Sequence, residues 1–189
     1  MSSTCTSRDS ERSSRKPKRT RRSLRAAEWV SFSPSPRYAH MTILHDSAVH
    51  ASLKQRIRSL RPDSTRRWGK MSVDQMLWHV NESMRMALGD AVFEPMRTPP
   101  LPKPMLRWMV LNVPWPKGRA PTYKEMVARQ NYDFAAEQAR CIRLIDQLTS
   151  VPLDRSTWPV NPTLGPMTGR QWSQLQAKHL EHHLRQFGA

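Results

Sequence analysis

One helix-start signal, occurring twice, limits what this chain can fold into. Ser72 and Gln75 form an S-x-x-Q pattern and Thr168 and Gln171 a T-x-x-Q pattern, each opening a run with helical spacing of apolar residues. In such a capping box the hydroxyl accepts from the backbone three residues on, and the glutamine reaches back to the cap's own N–H. The first box predicts a helix to about Leu88, with Gly89 as its C-terminal cap. Its apolar arc is Val73, Met76, Leu77, Val80, Met84, Ala87 and Leu88. The second box starts the last helix.

Two more helices complete the set. One runs from Asp46 or Ser47 to about Leu60 on the stripe Val49, Leu53, Ile57 and Leu60, and Pro62 stops it. The other spans Asp133 to Thr149, with Phe134, Gln138, Cys141, Ile145 and Leu148 along one side. Residues 90–132 are punctuated by Pro99, Pro100, Pro102, Pro104, Pro114, Pro116 and Pro121, with room for a short helix at Leu106–Val110. Nothing alternates with period two over a useful length, so little sheet is expected. The pattern predicts an all-α four-helix bundle with a long Pro-rich crossover between its second and third helices.

Charge divides the chain. The formal net charge is +16, from 31 Lys/Arg against 15 Asp/Glu. Residues 1–40 carry ten of the Lys/Arg, three of the Asp/Glu and ten Ser, and include the cluster Arg15-Lys16-Pro17-Lys18-Arg19-Thr20-Arg21-Arg22. Too few apolar residues lie there to offset the entropy of ordering, so residues 1–40 are expected to be a disordered extension and residues 41–189 the bundle. Nucleic acid is expected as a partner only through this basic tail. Cys5 and Cys141 suit neither a disulfide framework nor a thiolate zinc site, which fits a reducing cytoplasm. No apolar run approaches the roughly 18 residues of a span, so no membrane partner is expected. The N-terminus lacks the apolar region of a secretory leader.

Seven histidines carry the chemical interest. His40, His45 and His50 have no metal-ligand partner at useful spacing and read as structural or solvated. His79 points about 60° from Met76, at the edge of the core-facing arc of its helix. His179 and His183 lie four apart in the last helix, so they share one face about 40° apart, one turn above the other. Trp172 and Gln176 fall on the same side, whereas His182 points about 100° away from His183. The spacing therefore prefers His179 and His183 as a ligand pair that needs a third ligand from elsewhere.

The segments R-W-G-K-M-S-V-D-Q-M-L-W-H-V-N-E-S-M-R-M-A-L-G (67–89) and M-T-G-R-Q-W-S-Q-L-Q-A-K-H-L-E-H-H-L-R-Q-F-G (167–188) resemble the DinB/YfiT-like superfamily of metal-dependent four-helix bundles. More narrowly, they are similar to an uncharacterised bacterial branch that ends in H-x-x-H-H-L-R-Q-F-G. The resemblance covers about residues 41–189 and implies a divalent metal on His79, His179 and His183, with zinc or nickel expected first. It departs at one loop: this chain reads Asn161-Pro162-Thr163-Leu164-Gly165 where the branch has His-Pro-x-Phe-Gly. Asn161 can hydrogen-bond but cannot shuttle a proton near neutral pH.

Three imidazoles leave a divalent ion its full charge and an open position, which can activate a bound water or thiol. By likeness to thiol transferases of the superfamily, the leading expectation is a transferase adding a low-molecular-weight thiol to electrophilic small molecules. A metal-dependent hydrolase is the competing class, and a metal-stabilised binding module with a polyanion-binding tail is the non-enzymatic one. Candidate catalytic groups are His182, Glu82 and Asn161. Arg185 reads as a cation placed for the helix C-terminal dipole or for a substrate carboxylate. Trp172 is the strongest candidate for a pocket wall. A homodimer is compatible with a bundle of this size.

Overall fold

The computed structural model describes residues 42–189. The expected disordered extension and His40 lie outside these residues. The chain forms α1 (Ser47–Ser59), α2 (Val73–Leu88), α3 (Lys103–Asn112), α4 (Phe134–Ser150) and α5 (Gly169–Gln186), with a 3-10 turn at Lys124–Met126. Among the described residues there is no strand, only an isolated bridge between Asn161 and Gly165. None of the helices is long and apolar enough to cross a membrane. The fold is all-α, as the sequence predicts.

The Thr168 box forms in full, Thr168 Oγ1 accepting from Gln171 N–H at 3.2 Å, whereas at Ser72 only the glutamine half forms and Ser72 Oγ has no partner. Ser72 N–H donates to Gln75 Oε1 at 3.1 Å, and Thr168 N–H donates to Gln171 Oε1 at 3.0 Å. Asp46 and Asp133 cap α1 and α4, each accepting backbone N–H bonds in the first turn. Gly89 ends α2 at φ +92°, a left-handed conformation that a side chain would strain.

α2 packs against α4 and α5, α1 against α4 and α5, and α3 against α5. The shared core includes Leu53, Ile57, Met76, Leu77, Val80, Met84, Ile145, Leu148, Trp172, Leu180 and Leu184, all nearly inaccessible. Each such aliphatic side chain contributes about 1.5–3 kcal/mol by leaving water. α2 and α5 are also joined by polar groups. Ser83 Oγ donates to Gln176 Oε1 at 3.1 Å, and Gln176 Nε2 donates to the Ser83 carbonyl at 3.2 Å.

The crossover is more ordered than its prolines suggest. The carbonyls at the end of α3 have no partner within the helix, and Lys178 Nζ donates to those of Val110, Leu111 and Val113 at 2.6–3.1 Å, while Gln174 Nε2 donates to Leu111 O at 3.3 Å. Val110 O also accepts from Trp115 Nε1 at 2.8 Å. Two side chains of α5, Lys178 and Gln174, thus anchor the crossover.

The start of α5 is close-packed. A Cβ on Gly169 would stand 2.6 Å from the Trp158 indole and closer still to the Leu153 carbonyl. Gly→Ala in a helix normally stabilises by up to about 1 kcal/mol, but overpacking costs about 1–3 kcal/mol. Gly169→Ala is therefore expected to destabilise, with a lower urea midpoint at unchanged m-value; a raised midpoint would refute the packing argument.

Candidate metal centre

His79 from α2 meets His179 and His183 from α5. All three are buried, and a ligand nitrogen from each lies within 4.8 Å of the others. His79 Nε2 and His179 Nε2 are 3.0 Å apart, and the three ring centroids are 4.8–4.9 Å apart. Donors about 2.0–2.1 Å from a tetrahedral zinc stand about 3.3 Å from one another, so the cluster has the scale of a metal site.

The protonation of two rings follows from their partners. His79 Nδ1 is 2.9 Å from the Met126 carbonyl, which only accepts, so Nδ1 carries the proton and Nε2 offers a lone pair. Gln186 Nε2 donates to the Trp68 carbonyl at 2.7 Å, which turns Gln186 Oε1 toward His183. That oxygen accepts from His183 Nδ1 at 2.8 Å, leaving His183 Nε2 as a lone pair. Two backbone carbonyls, one acting through an amide, thus fix both tautomers in the metal-binding form. The donor set fits a divalent cation.

Electrostatics agree. Burial lowers the pKa of all three rings: His79's falls, His179's falls well below the ordinary value with the neighbouring histidines adding to it, and His183's drops to about 3. His182 is half-buried and also lowered, by burial first and then by the Arg185 and Lys178 charges. All four are neutral at pH 7, as metal ligands must be.

The surroundings are aromatic and basic. His182 sits with its ring 5.1 Å from His183, 6.0 Å from Trp68 and 5.7 Å from Trp115. Trp115 also approaches His179 at 5.6 Å. Lys117 stands over Trp68 and Lys178 over Trp115, at 5.0 and 5.4 Å. Trp172, expected as a pocket wall, is instead fully buried, with Nε1 donating to the Pro159 carbonyl. The reason is the loop of residues 151–167, which lies against the start of α5 and supplies the Pro159 carbonyl to the indole.

Other expected residues stand apart from the cluster. Glu82 is buried between Arg85 at 2.9 Å and Arg140 at 3.4 Å, and no bond joins it to the three imidazoles. Asn161 organises its own loop: Oδ1 accepts from the Thr163 and Leu164 N–H groups and from Tyr123 Oη at 3.0 Å. Tyr123 is also the N-cap residue of the 3-10 turn that carries Met126. Arg185 is paired with Glu181. His45 bridges Ser173 and the Val151 carbonyl, and His50 joins Asp146, as structural or solvated histidines do.

Three parts of the centre left little trace in the sequence: Met126, Trp68 with Trp115, and Gln186. A carbonyl has no residue signature, and Met126 lies 47 residues from His79. Gln186 had the one readable signal, its i+3 spacing from His183.

A buried three-histidine cluster in a helical bundle defines a candidate metal protein. The chain belongs to the family described as "Protein of unknown function (DUF1569)", whose model matches residues 40–189. No curated protein and no solved structure matches it.

Gln186 gives a direct test of the tautomer argument. Gln186→Ala should weaken zinc binding by about 10–100-fold, as loss of a partner behind a metal-bound histidine does, with helical circular dichroism retained. Competition against a chromophoric chelator measures it, and unchanged affinity would show that Gln186 does not orient His183.

Proposed function

We propose that this chain is a DinB/YfiT-like protein that holds a divalent metal, zinc or nickel first, on His79, His179 and His183, and transfers a low-molecular-weight thiol to an electrophile. The observation that carries the reading is the pair of lone pairs, on His79 Nε2 and His183 Nε2, fixed by hydrogen bonds to the far side of each ring. A divalent ion held there supplies Lewis acidity, lowering the pKa of a thiol or water that reaches its open face.

The chain's own residues favour the thiol over the hydrolytic reading. Either reaction can use a histidine as general base, so the difference lies in how much help each nucleophile needs. Among the described residues no carboxylate bonds to the cluster, and Glu82 is neutralised by two arginines. A thiol, with an ordinary pKa near 8.5, needs much less help. His182, neutral and next to His183, is the group placed to accept the thiol proton. Trp68 and Trp115 limit water around His182 and offer apolar surface to an electrophile. Lys117, exposed beside Trp68, suits a carboxylate on the thiol.

Metal analysis of the full chain tests the first half. Wild-type protein should carry close to stoichiometric metal after zinc loading and dialysis, and His79→Ala and His183→Ala should each lose most of it; full retention in either variant sinks the three-histidine site. For the second half, metal-loaded protein is assayed for thiol addition to an electrophile beside ester hydrolysis. His182→Ala should lower thiol transfer by about 10²–10⁴-fold with metal content unchanged. Hydrolysis without thiol transfer would assign the chain to the competing class.

A further inference from the structure

α3 is apolar on two opposite faces, and the protein covers one of them. Leu106 and Leu111 are buried toward α5. On the other side Met105, Trp108 and Met109, spaced i, i+3, i+4, are 52%, 61% and 36% exposed. A helix apolar all round normally has both faces covered. Val113, 42% exposed, extends the stripe beyond the helix end.

The stripe lies in a stretch with no negative charge. Residues 95–124 contain Arg97, Lys103, Arg107, Lys117, Arg119 and Lys124 and no Asp or Glu. Lys103, in the first turn of α3, and Arg97 and Arg119 in the adjoining loops are exposed; Arg107 is turned inward to the Leu164 and Pro166 carbonyls, Lys117 lies over Trp68, and Lys124 lies beside Trp78 and Tyr132. Charge complementarity therefore calls for an anionic partner, and the apolar stripe for one with hydrocarbon close to its charges. A second copy meets neither demand. A symmetric pairing of this face would set cations against cations, and the stripe offers on the order of 400 Å², about half of the roughly 800 Å² per partner in a stable interface. A nucleic acid would satisfy the cations but leave Met105, Trp108 and Met109 without an apolar contact.

We infer that α3 docks this protein onto anionic lipid bilayers, with Met105, Trp108 and Met109 entering the interface and the exposed Lys103, Arg97 and Arg119 on the headgroups. Interfacial helices combine these features: Lys/Arg beside a face carrying Trp and other apolar residues. The expectation of no membrane partner rested on the lack of a spanning run, and a surface-bound helix needs none. Pro102 and Pro104 at its start, and Lys178 on the carbonyls at its end, hold α3 on the surface without tying up its outer face.

The full-length chain is sedimented with vesicles of phosphatidylcholine alone, and of phosphatidylcholine mixed with phosphatidylglycerol, beside the variant M105S/W108S/M109S. The three side chains are exposed, so the variant should fold, as circular dichroism will check. Wild type is expected to bind the mixed vesicles and not phosphatidylcholine alone. The variant should bind them at least about tenfold more weakly, although it keeps every cation, including those of residues 1–40. Equal binding by variant and wild type overturns the inference, because cations alone would then explain it. So does absence of wild-type binding. A concentration-dependent dimer abolished by the substitutions would assign the face to a second copy, and an equal loss of heparin binding would assign it to a lipid-free polyanion. Each of these leaves the metal reading untouched.

Discussion

The register between α2 and α5 is set by a reciprocal pair of buried hydrogen bonds, Ser83 Oγ to Gln176 Oε1 and Gln176 Nε2 to the Ser83 carbonyl. Both groups are shut off from water, so a slip along or around either helix would leave them unpaired at about 1–3 kcal/mol each. Ser83 lies one turn beyond His79, and Gln176 one turn before His179. Rotation by a single residue would swing His79 about 100° away from α5. The histidine cluster exists because this pair, with Met76, Val80, Leu180 and Leu184 packed around it, admits one register.

Burial then decides the chemistry of the rings. Imidazoles held this deep lose much of the hydration that would favour protonation, and their proximity makes a second charge costlier still. Hydrogen bonds behind His79 and His183 turn their free nitrogens inward. The same low-dielectric setting that suppresses proton binding leaves lone pairs for a metal cation. Glu82 follows the opposite route, kept buried by two arginines on the α4 side of α2. α2 thus carries a neutral imidazole on one side and a compensated charge on another.

The crossover joins site and surface. Val110 O accepts from both Trp115 and Lys178, so the end of α3 fixes the tryptophan beside His179 and His182. The inner face of α3 is thereby committed to the bundle, and its outer face, with Met105, Trp108 and Met109, stays open. Any partner on that face would sit on the segment that supplies one wall of the centre.

The sequence by itself determined the helices and the shared face of His179 and His183, because these are local. Capping-box patterns at Ser72 and Thr168, the 3.6-residue stripes and the i,i+4 spacing of His179 and His183 are properties of one turn or of one helix. They survive whatever the rest of the chain does. His79 was legible only as a residue at the edge of an arc. Only the tertiary structure decided that it faces His179, that Met126 and Gln186 set the tautomers, that Trp68 and Trp115 rather than Trp172 flank the centre, and that Glu82 is turned to α4. Each of those depends on contacts between residues tens of positions apart. Such contacts are fixed by how helices pack, and no local pattern of residues records them.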